Sequence, residues 1–79
     1  MIGDMRVVVL RLVSDHDGQW GWLQIDRALA MRGILGVNVG AVLNNLVEGG
    51  FAVADGDVLL ASTRYRLTDS GRRRLGVAI

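Results

Sequence analysis

The stretch Asn38-Val39-Gly40-Ala41-Val42-Leu43-Asn44-Asn45-Leu46-Val47-Glu48-Gly49-Gly50-Phe51-Ala52-Val53-Ala54-Asp55-Gly56-Asp57 decides the fold, because its apolar period changes halfway along. Up to Glu48, the residues Val39, Val42, Leu43, Leu46 and Val47 recur at helical spacing, and Asn38 can cap the helix they define. At helical pitch the opposite face carries Ala41, Asn44, Asn45 and Glu48. Gly49-Gly50 ends that helix. Residues 51–54 then read as a strand entering the turn Asp55-Gly56-Asp57, which makes the next element the return arm of a hairpin, within residues 58–67. The best strand in that arm is Thr63-Arg64-Tyr65-Arg66-Leu67, polar outward and apolar inward.

Two helices are predicted before this stretch. Met5, Val8, Val9, Leu12 and Val13 lie on one face of a helix over residues 4–15, although the valine run leaves a buried strand as the competing reading. Asp15-His16-Asp17-Gly18 is a turn. A second helix starts at Trp20 or Trp22 and runs to Arg32, with Trp22, Ile25 and Leu29 inward and Gly33 as its left-handed stop. After the hairpin, Thr68 can cap a short closing helix whose last turn carries Arg72, Arg73 and Arg74. The expected class is therefore mainly α with a small β-hairpin: three helices, a hairpin wing and a short C-terminal helix.

At 79 residues the chain is expected to form one domain spanning 1–79, and it needs most of its apolar side chains for a single core. There are no cysteines, which excludes disulfides, thiolate metal sites and a cysteine nucleophile. Apolar runs such as Val7-Val8-Val9-Leu10 are far shorter than the roughly 20 residues of a membrane span, and Asp4, Arg6 and Arg11 break up any signal peptide. A cytoplasmic protein that does not enter the membrane is expected. The net charge of +1 hides an asymmetry: residues 1–63 sum to −3 and residues 64–79 to +4. All nine cations are arginine, the side chain that forks onto phosphate and guanine, although a coding bias against lysine would give the same count.

Three helices followed by a hairpin and a last helical turn is the order of a winged helix-turn-helix. Trp20-Gly21-Trp22 resembles the small-aromatic element that opens the second helix in PadR-like transcriptional regulators. The run through Leu43, Leu46, Glu48, Gly50, Phe51 and Val53 is similar to the end of the recognition helix and the start of the wing in PadR- and MarR-like proteins. Tyr65-Arg66-Leu67-Thr68-Asp69-Ser70-Gly71-Arg72 resembles their tyrosine-x-leucine-threonine-x-x-glycine-arginine strand exit. The likeness covers roughly residues 7–75, without the additional helices through which such proteins dimerise. It departs from the pattern in one further respect: no basic residue lies between Gly33 and Thr63, where those regulators usually carry lysine or arginine on the recognition helix.

The resemblance implies double-stranded DNA as the partner, with the third helix in the major groove. Asn44 and Asn45 carry amides that can pair bidentately with adenine, or they are simply two solvated asparagines. Asn38 is first a cap and second a phosphate contact, and Ala41 is small enough for a thymine methyl to approach. Arg64 and Arg66 on the wing, with Arg72 and Arg73 behind them, would sit on backbone phosphate; a solvated or dipole-completing role is the alternative for the helical ones. Glu48 repels phosphate.

A second reading uses the same fold for protein contact, as a module on a nucleic-acid-handling machine or in a homodimer. Val58-Leu59-Leu60 is unusually aliphatic for a DNA-reading wing, and either packs as a third strand on the first helix, the favoured expectation, or is exposed for a partner. Trp20 is the other protein-binding candidate, because Trp22 suffices for the inner face of the second helix.

No enzyme is expected. His16 is the only histidine, and its neighbours Ser14 and Asp15 cannot converge with it on one reacting atom. Asp15-x-Asp17-Gly18 faintly suggests a calcium loop, but Trp20 and Leu23 stand where oxygen ligands belong. The glycines at 33, 36 and 40 lack both the spacing and the lysine of a phosphate-binding fingerprint. No cofactor or metal is expected.

Overall fold

The computed structural model describes residues 5–57, 60 and 62–76. Within them the order is α1 (Met5–Asp15), α2 (Trp22–Met31), α3 (Val39–Glu48), β1 (Ala52–Asp55), β2 (Arg64–Leu67) and α4 (Asp69–Leu75). The chain is thus mainly helical with a small antiparallel hairpin. The valine run in α1 is helical because Val9, Leu10, Leu12 and Val13 form its buried face, and burial on one stripe outweighs the modest helix penalty of β-branching.

Local chemistry sets the helix ends. Gln24 Oε1 accepts from the Gly21 amide at 3.0 Å, one half of a capping box that starts α2. Past Met31, the chain leaves the helix through Gly33, whose φ of +79 is the left-handed conformation expected of its stop. Asn38 caps α3, its Oδ1 accepting from the Ala41 amide at 3.1 Å. Thr68 caps α4, accepting from the Gly71 amide at 3.0 Å while its hydroxyl donates to the Gly50 carbonyl at 2.6 Å.

The core joins α1 to everything else. Val9, Leu10, Leu12 and Val13 meet Ile25 and Leu29 of α2, Val39, Leu43 and Leu46 of α3, and Ala52, Tyr65 and Leu67 of the hairpin. Leu75 of α4 packs against the same cluster. Pairing of β1 with β2 sets Ala52 opposite Leu67, Val53 opposite Arg66, Ala54 opposite Tyr65 and Asp55 opposite Arg64. Alternation then turns Ala52, Ala54, Tyr65 and Leu67 inward, and leaves Val53, Asp55, Arg64 and Arg66 on the outer face.

The connection between α1 and α2 runs along the other edge of β2. The Gly18 amide donates to the Tyr65 carbonyl at 2.8 Å and the Tyr65 amide to the Trp20 carbonyl at 3.1 Å. Asp17 Oδ1 accepts from the Leu67 amide at 2.7 Å. These bonds satisfy backbone groups that would otherwise form an open strand edge.

Two expectations need correction. Thr63 does not point outward: it is 2% exposed, and its hydroxyl donates to the Asp57 carbonyl. The parity of the strand demands this, since Thr63 lies two residues before Tyr65 on the inward side. The expected packing of Val58-Leu59-Leu60 is also not found where it can be seen. Leu60 is 54% exposed, sitting in a turn where its amide donates to Asp57 and its carbonyl accepts from Thr63. Val58 and Leu59 lie outside the described residues, and the sheet seen among those residues has two strands.

Candidate nucleic-acid interface

The outer face of α3 is held outward by its own buried stripe. Val39, Leu43 and Leu46 fix the helix on the core, so Asn38, Ala41, Asn44, Asn45 and Glu48 are all exposed within an arc of about 120°. This face is uncharged except at its end. There, the Asn44 amide donates to Glu48 Oε1 at 2.8 Å, a contact between residues one helical turn apart. Asn44 therefore has one donor engaged within the helix, and bidentate pairing with a base edge would compete with Glu48. Asn45 points to solvent beside it.

The expected arginines divide into groups by their partners. Arg66 is exposed and pairs with Asp55 at 2.9 Å, diagonally across the hairpin. Arg64 is half-buried, its Nη1 reaching the Thr63 carbonyl at 3.5 Å. Arg72 bridges Asp69 at 3.0 Å and Asp17 at 3.6 Å, which ties α4 to the α1–α2 connection. Arg73 donates to Ser70 Oγ at 3.1 Å, and Arg74 is exposed. Half-exposed ion pairs of this kind are worth about 0–1 kcal/mol, so a phosphate could displace Asp55 or Asp69 at little cost.

The arginines and the asparagines are carried by different layers. The principal neighbours of α3 are α1, α2 and β1, whereas α4 packs on α1 and β2. Both α1 and the hairpin join them, the hairpin through β1 on the α3 side and β2 on the α4 side.

Among the protein-binding candidates, Leu60 is exposed. Trp20 is half-buried, packs against the core and stacks on His16 with ring centroids 3.6 Å apart and planes 5° from parallel. That stacking gives the lone histidine a structural role beside the α1–α2 turn. Sequence reasoning did not single out Met31 and Leu35, which are 83% and 77% exposed around the α2–α3 connection. Helical periodicity could have placed Met31 off the inner face of α2. It also missed Asp17 and Asp55 as partners of Leu67 and Arg66, pairings that need the tertiary arrangement.

Among the described residues, no group of three or more His, Asp or Glu side chains could hold a metal ion, and no helix is long and apolar enough to cross a membrane. No known protein family, characterised protein or solved structure matches this chain.

Proposed function

We propose that this chain is a winged helix-turn-helix protein that binds double-stranded DNA, a transcriptional regulator or an accessory module of one. In this reading α3 is the recognition helix in the major groove, the hairpin is the wing, and arginines of β2 and α4 lie on the flanking phosphates. The observation that carries it is the outer face of α3, on which Asn38, Ala41, Asn44 and Asn45 are exposed together, small or amide-bearing and free of bulk. Asn45 reads a base edge, and Asn44 does so when its amide leaves Glu48. The α1–α2 connection along β2 is in keeping with the sheet of such a fold. The PadR- and MarR-like motifs belong to the same reading.

The test is fluorescence anisotropy on a mixed-sequence duplex at several salt concentrations. With Arg64, Arg66 and Arg73 on phosphates, the logarithm of affinity should fall against that of salt with a slope of about −3. Asn45→Ala and the pair Arg64→Ala/Arg66→Ala weaken binding, and Glu48→Gln strengthens it by removing the anion at the groove end of α3. Absence of binding at low salt overturns the proposal.

A second reading, a winged helix used for protein contact, is favoured by the apolar side chains left uncovered at Leu60, Met31 and Leu35. Light scattering on the same sample separates the two. Self-association that is lost in Leu60→Asp or Leu35→Asp, with no response to DNA, supports contact with a second copy.

A further inference from the structure

The outer face of α2 is exposed along its length. Ile25 and Leu29 turn inward, and the side chains on the opposite arc, in order around the helix Asp26, Ala30, Leu23, Arg27 and Met31, are all exposed. They span about 140° at helical pitch. Leu23, Arg27 and Met31 stand on successive turns, so a cation lies midway between two apolar side chains, with Asp26 beside it. Leu35 is exposed in the connection that follows. Among the described residues, neither Asp26 nor Arg27 makes an ion pair or a side-chain hydrogen bond. We propose that this face binds a second copy of the chain, α2 against α2 in antiparallel order, about a two-fold axis beside Arg27.

Self-complementarity selects that partner. In a two-fold contact residue i of one copy meets j of the other, and j meets i. With Arg27 midway, the axis sets Leu23 of each copy against the partner's Ala30 and the partner's Met31, and the small Ala30 lets the helices approach closely. At the centre each Arg27 crosses to the partner's Asp26, so two cations and two carboxylates neutralise one another. A uniformly anionic partner, whether nucleic acid or a lipid surface, would be repelled by Asp26 as much as drawn by Arg27. One charge of each sign on one face is what a second copy returns. A dimer through α2 gives the protein-contact reading, on which it rests, a face and a partner, and its formation requires no DNA.

Sedimentation equilibrium of the chain without DNA tests it. A face this small is well below the roughly 20–30 residues a side of a standard interface, so a dissociation constant on the order of 100 µM is expected. Asp26→Arg and Arg27→Asp each put two like charges on the face of both copies and should weaken the dimer at least about tenfold. Mixed in equal amounts, the two variants should pair with each other and recover the original affinity, because one presents two cations and the other two carboxylates. Met31→Lys should weaken the dimer about tenfold, and Leu60→Asp should leave it unchanged. Neither charge reversal removes a contact within the chain, so the variants keep the fold. A chain still monomeric at about 1 mM, tenfold above the expected constant, would leave the face to a partner of another kind and overturn the proposal. So would a dimer indifferent to Asp26→Arg, or a mixture of the two reversals that fails to pair. A dimer lost in Leu60→Asp instead would also overturn it, moving the contact to the hairpin turn while the protein-contact reading stands.

Discussion

The carboxylate of Asp17 accepts a hydrogen bond from the backbone amide of Leu67 at 2.7 Å, linking positions 50 residues apart. One side chain in the α1–α2 connection thereby holds the end of β2, and its other oxygen lies 3.6 Å from Arg72 of α4. Asp17→Ala leaves the Leu67 amide without that partner and should lower unfolding stability by about 1–2 kcal/mol. Asp17→Asn keeps an acceptor and should lose less than half of that. Urea unfolding of both variants checks the order, and an equal loss would assign the effect to the charge and Arg72.

Gly71 sits where no side chain fits. A Cβ at this position would come 2.2 Å from the Phe51 carbonyl oxygen and 2.8 Å from Leu67 Cδ1. Helix propensity alone would make Gly71→Ala stabilising by about 1 kcal/mol, but the clash is with backbone and cannot be relieved by a rotamer. The variant should therefore be destabilised by about 2–3 kcal/mol, as read from its urea midpoint. A gain in stability would mean that α4 can move off Phe51.

Asp55 neutralises Arg66 on the outer face of the hairpin. Asp55→Asn should change stability by less than about 1 kcal/mol, because the pair is exposed. Its effect should appear in DNA binding, as tighter affinity at an unchanged salt slope of about −3, because Arg66 no longer has to leave Asp55 to reach its phosphate. An unchanged affinity would show that Arg66 takes no part in binding.

Tyr65 supplies the alkaline response. Its buried hydroxyl has a pKa raised above the ordinary 10.0, first by burial and then by the negative charge of Asp57. The folded chain thus holds the phenolic proton more tightly than the unfolded chain, so its contribution is complete below pH 10 and is lost as pH rises through the folded value. All nine cations are arginine and there is no cysteine, which makes Tyr65 the one side chain titrating between about pH 9 and pH 11. Urea midpoints should therefore hold steady to about pH 9 and fall beyond pH 10, and Tyr65→Phe should abolish the fall.

Features written in short-range chemistry were legible in the sequence. The buried stripe of α3, the caps Asn38 and Thr68 and the stop at Gly33 each depend on residues within one or two turns of one another. The inward turn of Thr63 was available from strand parity, but the expectation followed its polarity, and a hydroxyl can be buried once a carbonyl such as that of Asp57 accepts from it. The pairs Asp17 with Leu67 and Asp55 with Arg66 could not be read, because they need the hairpin register and the path of the α1–α2 connection. For the same reason the basic C-terminal segment looked more available than it is: Arg66 and Arg72 already have carboxylate partners. Asn44 was the reverse case, since the spacing to Glu48 was in plain view and its consequence for the amide was not drawn.

The central place of α1 in the core carries a consequence for biosynthesis. Its buried stripe of Val9, Leu10, Leu12 and Val13 is translated well before Tyr65, Leu67 and Leu75, which cover part of it. A nascent chain halted after α3 has this buried stripe only partly clothed. The stripe is thus covered only once the hairpin's second arm and α4 have emerged, and until then the growing polypeptide presents a greasy ridge to whatever chaperone or neighbouring chain meets it at the ribosome.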